Sequence, residues 1–216
     1  MPLHRVIASS YPPIDLFEDV ASVEEFEVAI EYESITSDRV TDELGKIRQF
    51  AQADLLFGPG STPVMAAFAY PNQYARFNTP ERGAYYASDS IGGALTEHSH
   101  HWLTGFIQDA AISESSEPLM TVREYRNTLN RPLHDIRDRR TYGFAFDDDD
   151  YTLSQHLADT LRDNENSDGL LYQSLRCNAI CIAAFKPITV TRCTQGTHFA
   201  YSVKNGQISI KQITAI

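Results

Sequence analysis

The chain has 216 residues, 42% of them hydrophobic, and its 29 Asp and Glu residues against 18 Lys and Arg residues give a formal net charge of -11. This length and hydrophobic content suffice for one large globular domain. A surface that is negative on average repels polyanions, which argues against direct nucleic-acid binding. The sequence has neither the apolar run of a signal peptide nor a run of about eighteen apolar residues that could span a membrane. We therefore expect a soluble, cytoplasmic protein with no membrane partner.

The first predicted elements are short. Residues 4–8 form a β-type run. Ser22 and Glu25 have the spacing of a capping box and predict a helix that continues to Ile30. A second helix is predicted near residues 39–53. After the break at Gly58-Pro59-Gly60, the apolar stretch 64–69 fits either a buried strand or a short helix.

The central stretch predicts a strand that is followed directly by a helix. In residues 84–87 the alternation of a strand places Tyr85 and Tyr86 on opposite faces. Ser88 or Asp89 can then cap a helix over residues 91–107. One face of this helix carries the apolar residues and His98, whereas Glu97 lies beside that face. The apolar residues are Ile91, Ala94, Leu95, Trp102 and Phe106.

The C-terminal half is rich in predicted strands. A long strand over residues 119–129 precedes a helix over residues 152–161, and the acidic run 147–150 lies at the favourable N-terminal end of that helix. Asn205-Gly206 is a strong hairpin signal. No internal repeat or linker divides the chain, so we expect a single domain. The later predicted strands cover residues 179–185, 190–194, 199–203 and 207–213.

The stretch GALTEHSHHW, residues 93–102, raises the question of a metal site. On a helix, Glu97 and His101 or His98 and His101 could approach one cation. A tight zinc site needs three or four convergent ligands, however, and His98 shares the apolar face and points away from Glu97. HExxH and paired cysteines are absent. We therefore predict no metal and interpret the histidines as solvated or packed helix residues.

Several motifs, in order, resemble the RES domain family, which is named for an arginine, a glutamate and a serine. The arginine motif is Arg76-Phe77-Asn78, and the glutamate motif is Ala94-Leu95-Thr96-Glu97. The serine motif is Leu171-Tyr172-Gln173-Ser174-Leu175-Arg176. Between the first two motifs lies Gly83-Ala84-Tyr85-Tyr86-Ala87. Further similarity lies in Arg5-Val6-Ile7, Phe57-Gly58-Pro59-Gly60 and residues 131–137, so the resemblance covers nearly the whole chain.

The resemblance implies a fold and a domain organisation. The expected fold class is α+β, with a curved mixed β-sheet like that of the mono-ADP-ribosyltransferases and flanking helices. Residues 1–216 would form a single RES domain. Residues 8–71 would be a family-variable helical segment between the first strand and the Arg76 motif.

The resemblance also implies a function. RES proteins are toxins of toxin–antitoxin pairs, and the family is associated with degrading NAD+ by cleaving its nicotinamide–ribose bond, with water or phosphate as acceptor. The expected partner is an Xre-type helix-turn-helix antitoxin in a hetero-oligomer. NAD+ would be a substrate, with no prosthetic group, since the GxGxxG fingerprint of redox carriers is absent. Two alternatives stay open: a mono-ADP-ribosyltransferase that modifies a cellular protein, and a non-catalytic protein that binds NAD+ or a partner.

Five residues carry the expected chemistry. Arg76 suits two-point binding of phosphate oxygens, and Tyr86 offers a flat face to nicotinamide and a hydroxyl to ribose or phosphate. The Glu97 carboxylate would stabilise the oxocarbenium-like ribose as nicotinamide leaves. Ser174 would hydrogen-bond the nicotinamide amide or the ribose, or orient the acceptor, and Arg5 would add a second arginine. The structural alternatives are a surface salt bridge for Arg76, a solvated Glu97 and a turn or cap serine.

Overall fold

A mixed β-sheet dominates the fold. The computed structural model describes residues 1–10, 46–71, 75–102 and 117–214, together with residues 18, 20, 22, 24, 25, 28, 114 and 115. In this part of the chain the strands are β1 (Pro2–Ala8), β2 (Tyr85–Ser88), β3 (Met120–Thr128), β4 (His134–Asp135), β5 (Gly169–Gln173), β6 (Ile180–Ala184), β7 (Thr194–Lys204) and β8 (Gln207–Ile213). They form one 8-stranded sheet in the order β4-β5-β6-β2-β1-β3-β7-β8.

The helices accompany this sheet. They are α1 (Thr62–Ala69), α2 (Ile91–Trp102), α3 (Arg139–Tyr142) and α4 (Thr152–Asn164), with 3-10 turns at Gln52–Asp54, Gly143–Phe146 and Pro187–Thr189. The pair β4 and β5 is parallel, whereas the other neighbouring strands are antiparallel. A mixed sheet with accompanying helices is therefore confirmed. Among the described helices, none is long and apolar enough to cross a membrane.

The two tyrosines of β2 divide the core, as their alternation predicts. Tyr85 is fully buried in a cluster with Leu3 and Phe68, to which α1 contributes much of its apolar surface. Tyr86 packs against a different cluster that contains Leu170 and Ala183 and is completed by α4. Helix α2 places Ala94 and Leu95 against Val6 of β1, Val122 of β3 and Tyr201 of β7. The register of β1 with β2 and β3 puts Val6 on the Tyr86 face of the sheet.

The sheet has a seam between its two central strands. β1 pairs with β3 over its whole length, but its only register pair with β2 is His4 with Ser88. Pairing is more extensive on each side of this point, with a register shift between β3 and β7 at Arg123 and Tyr125. Strands β4, β5, β6 and β2 therefore form one half of the sheet and β1, β3, β7 and β8 the other, and a single register pair joins the two halves.

Local signals explain much of this architecture. Asn205 and Gly206 have φ values of 51° and 71°, which are the two positive values that a type I′ hairpin turn needs. The Glu25 amide donates to Ser22 Oγ at 3.2 Å, which confirms the predicted helix start, although the rest of that helix to Ile30 lies mostly outside the described residues. The stretch 64–69 is helical and belongs to α1.

Two expectations about secondary structure were wrong, and one strand was missed. Residues 190–193 do not form a strand, because Val190 makes only an isolated bridge to Leu129 and the Cys193 amide donates to the Gly60 carbonyl at 2.7 Å; Thr194 is the first residue of β7. The helix predicted near residues 39–53 does not continue beyond Ile47, where turns and a 3-10 segment replace it. Residues 39–45 of that prediction lie outside the described residues. Residues 103–107 of the helix predicted over 91–107 also lie outside them. Strand β5 was not predicted at all.

Candidate active site

The glutamate and serine of the two family motifs meet at the end of β5. Glu97 projects from α2, and Ser174 follows the last residue of β5. Ser174 Oγ donates to Glu97 Oε1 at 2.5 Å. The same oxygen accepts the backbone amides of Arg176 at 3.0 Å and Cys177 at 3.1 Å. Because these two amides use its acceptor side, the hydroxyl hydrogen is directed to the carboxylate. Ser174 is thus a turn serine and also the group that holds Glu97.

Tyr86 fastens the arginine motif to the sheet. Its hydroxyl donates to Asn78 Oδ1 at 3.0 Å and accepts the Phe77 amide, also at 3.0 Å. Burial raises the pKa of this phenol, so the group stays neutral and can keep donating. The hydroxyl that we expected to face ribose or phosphate is therefore engaged in positioning the loop that carries Arg76.

Arg76 is turned toward an acidic loop, residues 147–150. Its Nη1 donates to the carbonyl of Ala145 at 3.3 Å and to that of Asp147, and its Nη2 lies 3.5 Å from Asp148 Oδ1. The guanidinium also lies 4.8 Å from the centroid of the Tyr151 ring. The guanidinium donors that we expected to bind phosphate contact oxygens of the protein instead.

Tyr172 links these residues, although we did not predict it as a site residue. Its ring centroid lies 5.1 Å from that of Phe77. Burial raises the pKa of Tyr172 well above its usual value; the charges of Glu97 and Tyr86 act in the same direction and that of Arg76 opposes them. The Tyr172 hydroxyl is thus within electrostatic reach of three predicted residues. Strand alternation could have found it, because the register of β5, β6 and β2 puts Tyr172 on the Tyr86 face.

Arg5 lies elsewhere. Its guanidinium is 4.7 Å from the centroid of the Tyr85 ring, on the other face of the sheet from Tyr86. Its Nη1 reaches the backbone carbonyl of Tyr86 at 3.0 Å, close to the point where pairing between β1 and β2 stops. Burial lowers the pKa of Arg5. Among its described hydrogen bonds, none reaches Glu97 or Ser174, so the structure does not bring Arg5 together with that pair.

The histidines of α2 have different surroundings. His98 packs against Tyr201 with ring centroids 5.7 Å apart, and burial lowers its pKa to about 4, so it is a neutral, packed side chain as expected. Burial also lowers the pKa of His101, while the charge of Glu97 raises it and that of Arg176 lowers it. Within the described residues, no group of three or more His, Cys, Asp or Glu side chains is placed to hold a metal ion.

Tyr172 is within electrostatic reach of Glu97, Tyr86 and Arg76, and Ser174 holds Glu97. In a comparison with known families, the model described as RES domain matches residues 53–204. This match includes Arg76, Tyr86, Glu97 and Ser174, whereas Arg5 lies before it. No curated protein matches the chain. Since the match covers more than half of the sequence, the chain belongs to the RES domain family.

Proposed function

We propose that this protein degrades NAD+ by cleaving the bond between nicotinamide and ribose. The observation that carries the proposal is the hydrogen bond from Ser174 to Glu97, which fixes a carboxylate beside the residues of the other two family motifs. Membership of the RES family makes an enzyme that acts on NAD+ plausible. The proposal includes a fold of the mono-ADP-ribosyltransferase type, which the resemblance to the RES family implies and with which a mixed sheet and accompanying helices are compatible.

The reaction needs a fixed negative charge at the ribose. As the bond from C1′ to the nicotinamide nitrogen breaks, its electron pair leaves with neutral nicotinamide, and positive charge develops on C1′ and the ring oxygen. Glu97 Oε1 is held by Ser174, and in the described structure Oε2 accepts no hydrogen bond, so it can accept one from a ribose hydroxyl. A preorganised carboxylate stabilises this transition state more than the ground state. Water then adds to C1′ and releases a proton to solvent.

The remaining residues position the substrate in this proposal. Arg76 binds the diphosphate, Tyr86 holds the Arg76 motif in place through Phe77 and Asn78, and the buried Tyr172 forms the apolar wall between them. Ser174 acts through Glu97 as a positioning residue and not as a nucleophile, because its oxygen already accepts the backbone amides of Arg176 and Cys177.

The direct test measures nicotinamide released from NAD+ by the purified protein, with and without phosphate. Glu97→Gln keeps the shape of the side chain and removes its charge, and we expect it to lower the rate by about two to three orders of magnitude. Glu81→Gln makes the same change at an exposed position and should leave the rate unchanged. A wild-type protein that releases no nicotinamide in either buffer would exclude the proposal. Label that remains on a cellular protein after incubation with labelled NAD+ would instead identify a transferase.

We further propose that the protein is a toxin in the cytoplasm and that an Xre-type antitoxin binds it in a hetero-oligomer. A chain with a net charge of -11 leaves contacts with DNA to such a partner. Expression with and without the Glu97→Gln change tests the toxicity. If both forms harm cells equally, NAD+ cleavage is not the cause of the toxicity, and a non-catalytic binding role explains it. Co-purification with a helix-turn-helix protein encoded beside it tests the partner.

A further inference from the structure

Two arginines contact the carboxylate of Asp148. Arg176 Nη1 lies 3.2 Å and Arg76 Nη2 lies 3.5 Å from the same oxygen, Oδ1. The Asp148 side chain is 64% exposed, whereas the two arginine side chains are only 11% and 14% exposed. Here the cations are the buried partners and the anion is the exposed one. The arrangement resembles a basic recess that an outer carboxylate covers.

Arg139 completes this arginine cluster, which we define as Arg76, Arg139 and Arg176. Its guanidinium stacks on Phe146, 3.5 Å from the ring centroid, and donates to the carbonyl of Gln173 at 3.2 Å, directly before Ser174. Burial lowers the pKa of Arg139, the charge of Arg76 lowers it further, and that of Asp148 raises it. All three arginines are therefore close to one another and to the serine motif.

One carboxylate forms ion pairs with the arginine cluster among the described residues, and this is Asp148. The carboxylate of Asp147 accepts the amides of Asp149 and Asp150 within its own loop. The carboxylate of Glu97 is held by Ser174. The guanidiniums therefore keep donors that a phosphate group can use, because arginine binds phosphate oxygens at two points.

A buried donor also lacks its acceptor. Arg176 Nε is buried and has no hydrogen-bond partner in the described structure. Leaving a buried donor on a charged group unpaired is unfavourable, because the group has lost its hydrogen bonds to water. A guanidinium edge presents Nε and an Nη together and binds two oxygens of one phosphate group, which a single carboxylate oxygen at Nη1 does not satisfy.

We propose that Arg76, Arg139 and Arg176 form the subsite for the diphosphate of the substrate and that Asp148 occupies it as an internal competitor until the diphosphate displaces it. This assignment rests on the proposed function for the dinucleotide itself. Arg139 and Arg176 are thereby phosphate-binding residues in addition to Arg76. The exposed position of Asp148 favours its displacement, because an ion pair with an exposed partner contributes little to stability. A diphosphate offers more oxygens and more charge than the carboxylate that it replaces.

The subsite lies next to the reacting carboxylate. The Arg176 amide donates to Ser174 Oγ at 3.0 Å, and the same oxygen donates to Glu97 Oε1. The Arg139 guanidinium donates to the carbonyl of Gln173, directly before Ser174. Because the ribose carbon that reacts and one phosphate of the diphosphate belong to the same nucleotide, a substrate can contact both groups at once.

The first test is calorimetric binding of inorganic diphosphate, which requires no turnover. Asp148→Asn removes the competing charge and should bind inorganic diphosphate about ten-fold more tightly than the wild type. Asp149→Asn makes the same change in the same loop, at a side chain without an arginine contact among the described residues, and should bind as the wild type does. Equal affinities of the two variants would overturn the role of Asp148. Orthophosphate is titrated in parallel, and a preference for it over diphosphate would assign the subsite to a free phosphate and overturn our assignment.

The second test removes the cations. Arg139→Gln and Arg176→Gln should each weaken diphosphate binding about ten-fold, whereas the exposed Arg140→Gln should not. Thermal melting without diphosphate shows whether Arg139→Gln and Arg176→Gln are folded. If either is not, Arg139→Lys and Arg176→Lys replace them, because lysine keeps the charge and lacks the paired donors of the guanidinium. The lysine variants should bind diphosphate more weakly than the wild type. Unchanged affinity in all these variants would overturn the subsite.

The failures of the two proposals can be told apart. If diphosphate binding follows the expected pattern but no nicotinamide is released from NAD+, the subsite stands and the proposed function fails. If nicotinamide is released but no form of the protein binds inorganic diphosphate, this assignment fails and the proposed function remains.

Discussion

Two carboxylates of this protein are paired with cations in opposite ways. Glu124 on β3 is 5% exposed; its Oε1 lies 2.7 Å from His4 Nδ1 and its Oε2 accepts the Thr197 amide at 2.9 Å. A Cβ atom added at Gly196 would lie 2.3 Å from the same Oε2, so the surroundings of Glu124 are tightly filled. Asp148, by contrast, is 64% exposed and covers arginines that are more buried than itself.

The difference distinguishes a structural charge cluster from a ligand site. At Glu124 the buried group has its partners, and β1, β3 and β7 supply them. At Asp148 the buried groups are the cations, one of their donors has no partner in the described structure, and the exposed carboxylate is the part that can leave. Burial of the satisfied group favours stability, whereas burial of an unsatisfied group indicates a missing ligand.

The largest effect on stability is expected when the Glu124 carboxylate is removed. Glu124→Ala should lower the free energy of unfolding by about 3 kcal/mol, because His4 and the Thr197 amide lose a charged acceptor in a buried place. Urea denaturation measures the change. The exposed Glu117→Ala serves as control. If both variants lose the same small amount, Glu124 is not the structural carboxylate that we describe.

Acid should affect the same cluster. Burial alone would raise the pKa of Glu124, but hydrogen bonds from Thr197 and His4 and the charges of His4 and Arg126 hold that pKa below its ordinary value. A carboxylate whose pKa is lower in the folded state stabilises the protein fully above its unfolded-state pKa, about 4.3, and loses this contribution as the pH falls through the folded value. The stability gap between wild type and Glu124→Gln should therefore narrow below about pH 4. A gap that stays constant between neutral pH and pH 3 would contradict this reasoning.

The smallest effect on stability is expected when the Asp148 carboxylate is removed. Asp148→Ala should change the free energy of unfolding by about 0.5 kcal/mol or less, since exposed ion pairs contribute little and removing Asp148 leaves its arginines solvated or free to bind anions. The same urea denaturation that is used for Glu124 checks it. A loss as large as that of Glu124→Ala would erase the distinction between the two clusters.

Sequence reasoning reached the local features of this fold. Period-two alternation separated Tyr85 from Tyr86, and the Asn205-Gly206 pair located the final hairpin, because both depend on neighbours in the chain. It failed at residues 190–193, where hydrogen bonds to the distant residues Thr128 and Gly60 replace a ladder. Strand β5 was not predicted, because its residues overlap the serine motif and were not considered as a strand.

The candidate site was only partly accessible from the sequence. Resemblance to the RES family suggested Glu97 and Ser174, and the structure brings them together. The acidic loop was interpreted only as a helix N-terminus. Asp150 does accept the Thr152 amide there at 2.8 Å, but the contact of Asp148 with Arg76 joins residues 72 positions apart. No local pattern predicts such a contact, and the same is true of the proximity of Arg139 to Arg76.

The seam in the sheet places a mechanical demand on the Glu97 carboxylate. Glu97 is carried by α2, which begins directly after β2 and also packs on β1, β3 and β7, so this helix lies across the seam. Ser174 follows β5, on the β2 side. The position of the carboxylate relative to Ser174 therefore depends on a helix that rests on two half-sheets, which share a single register pair at His4 and Ser88.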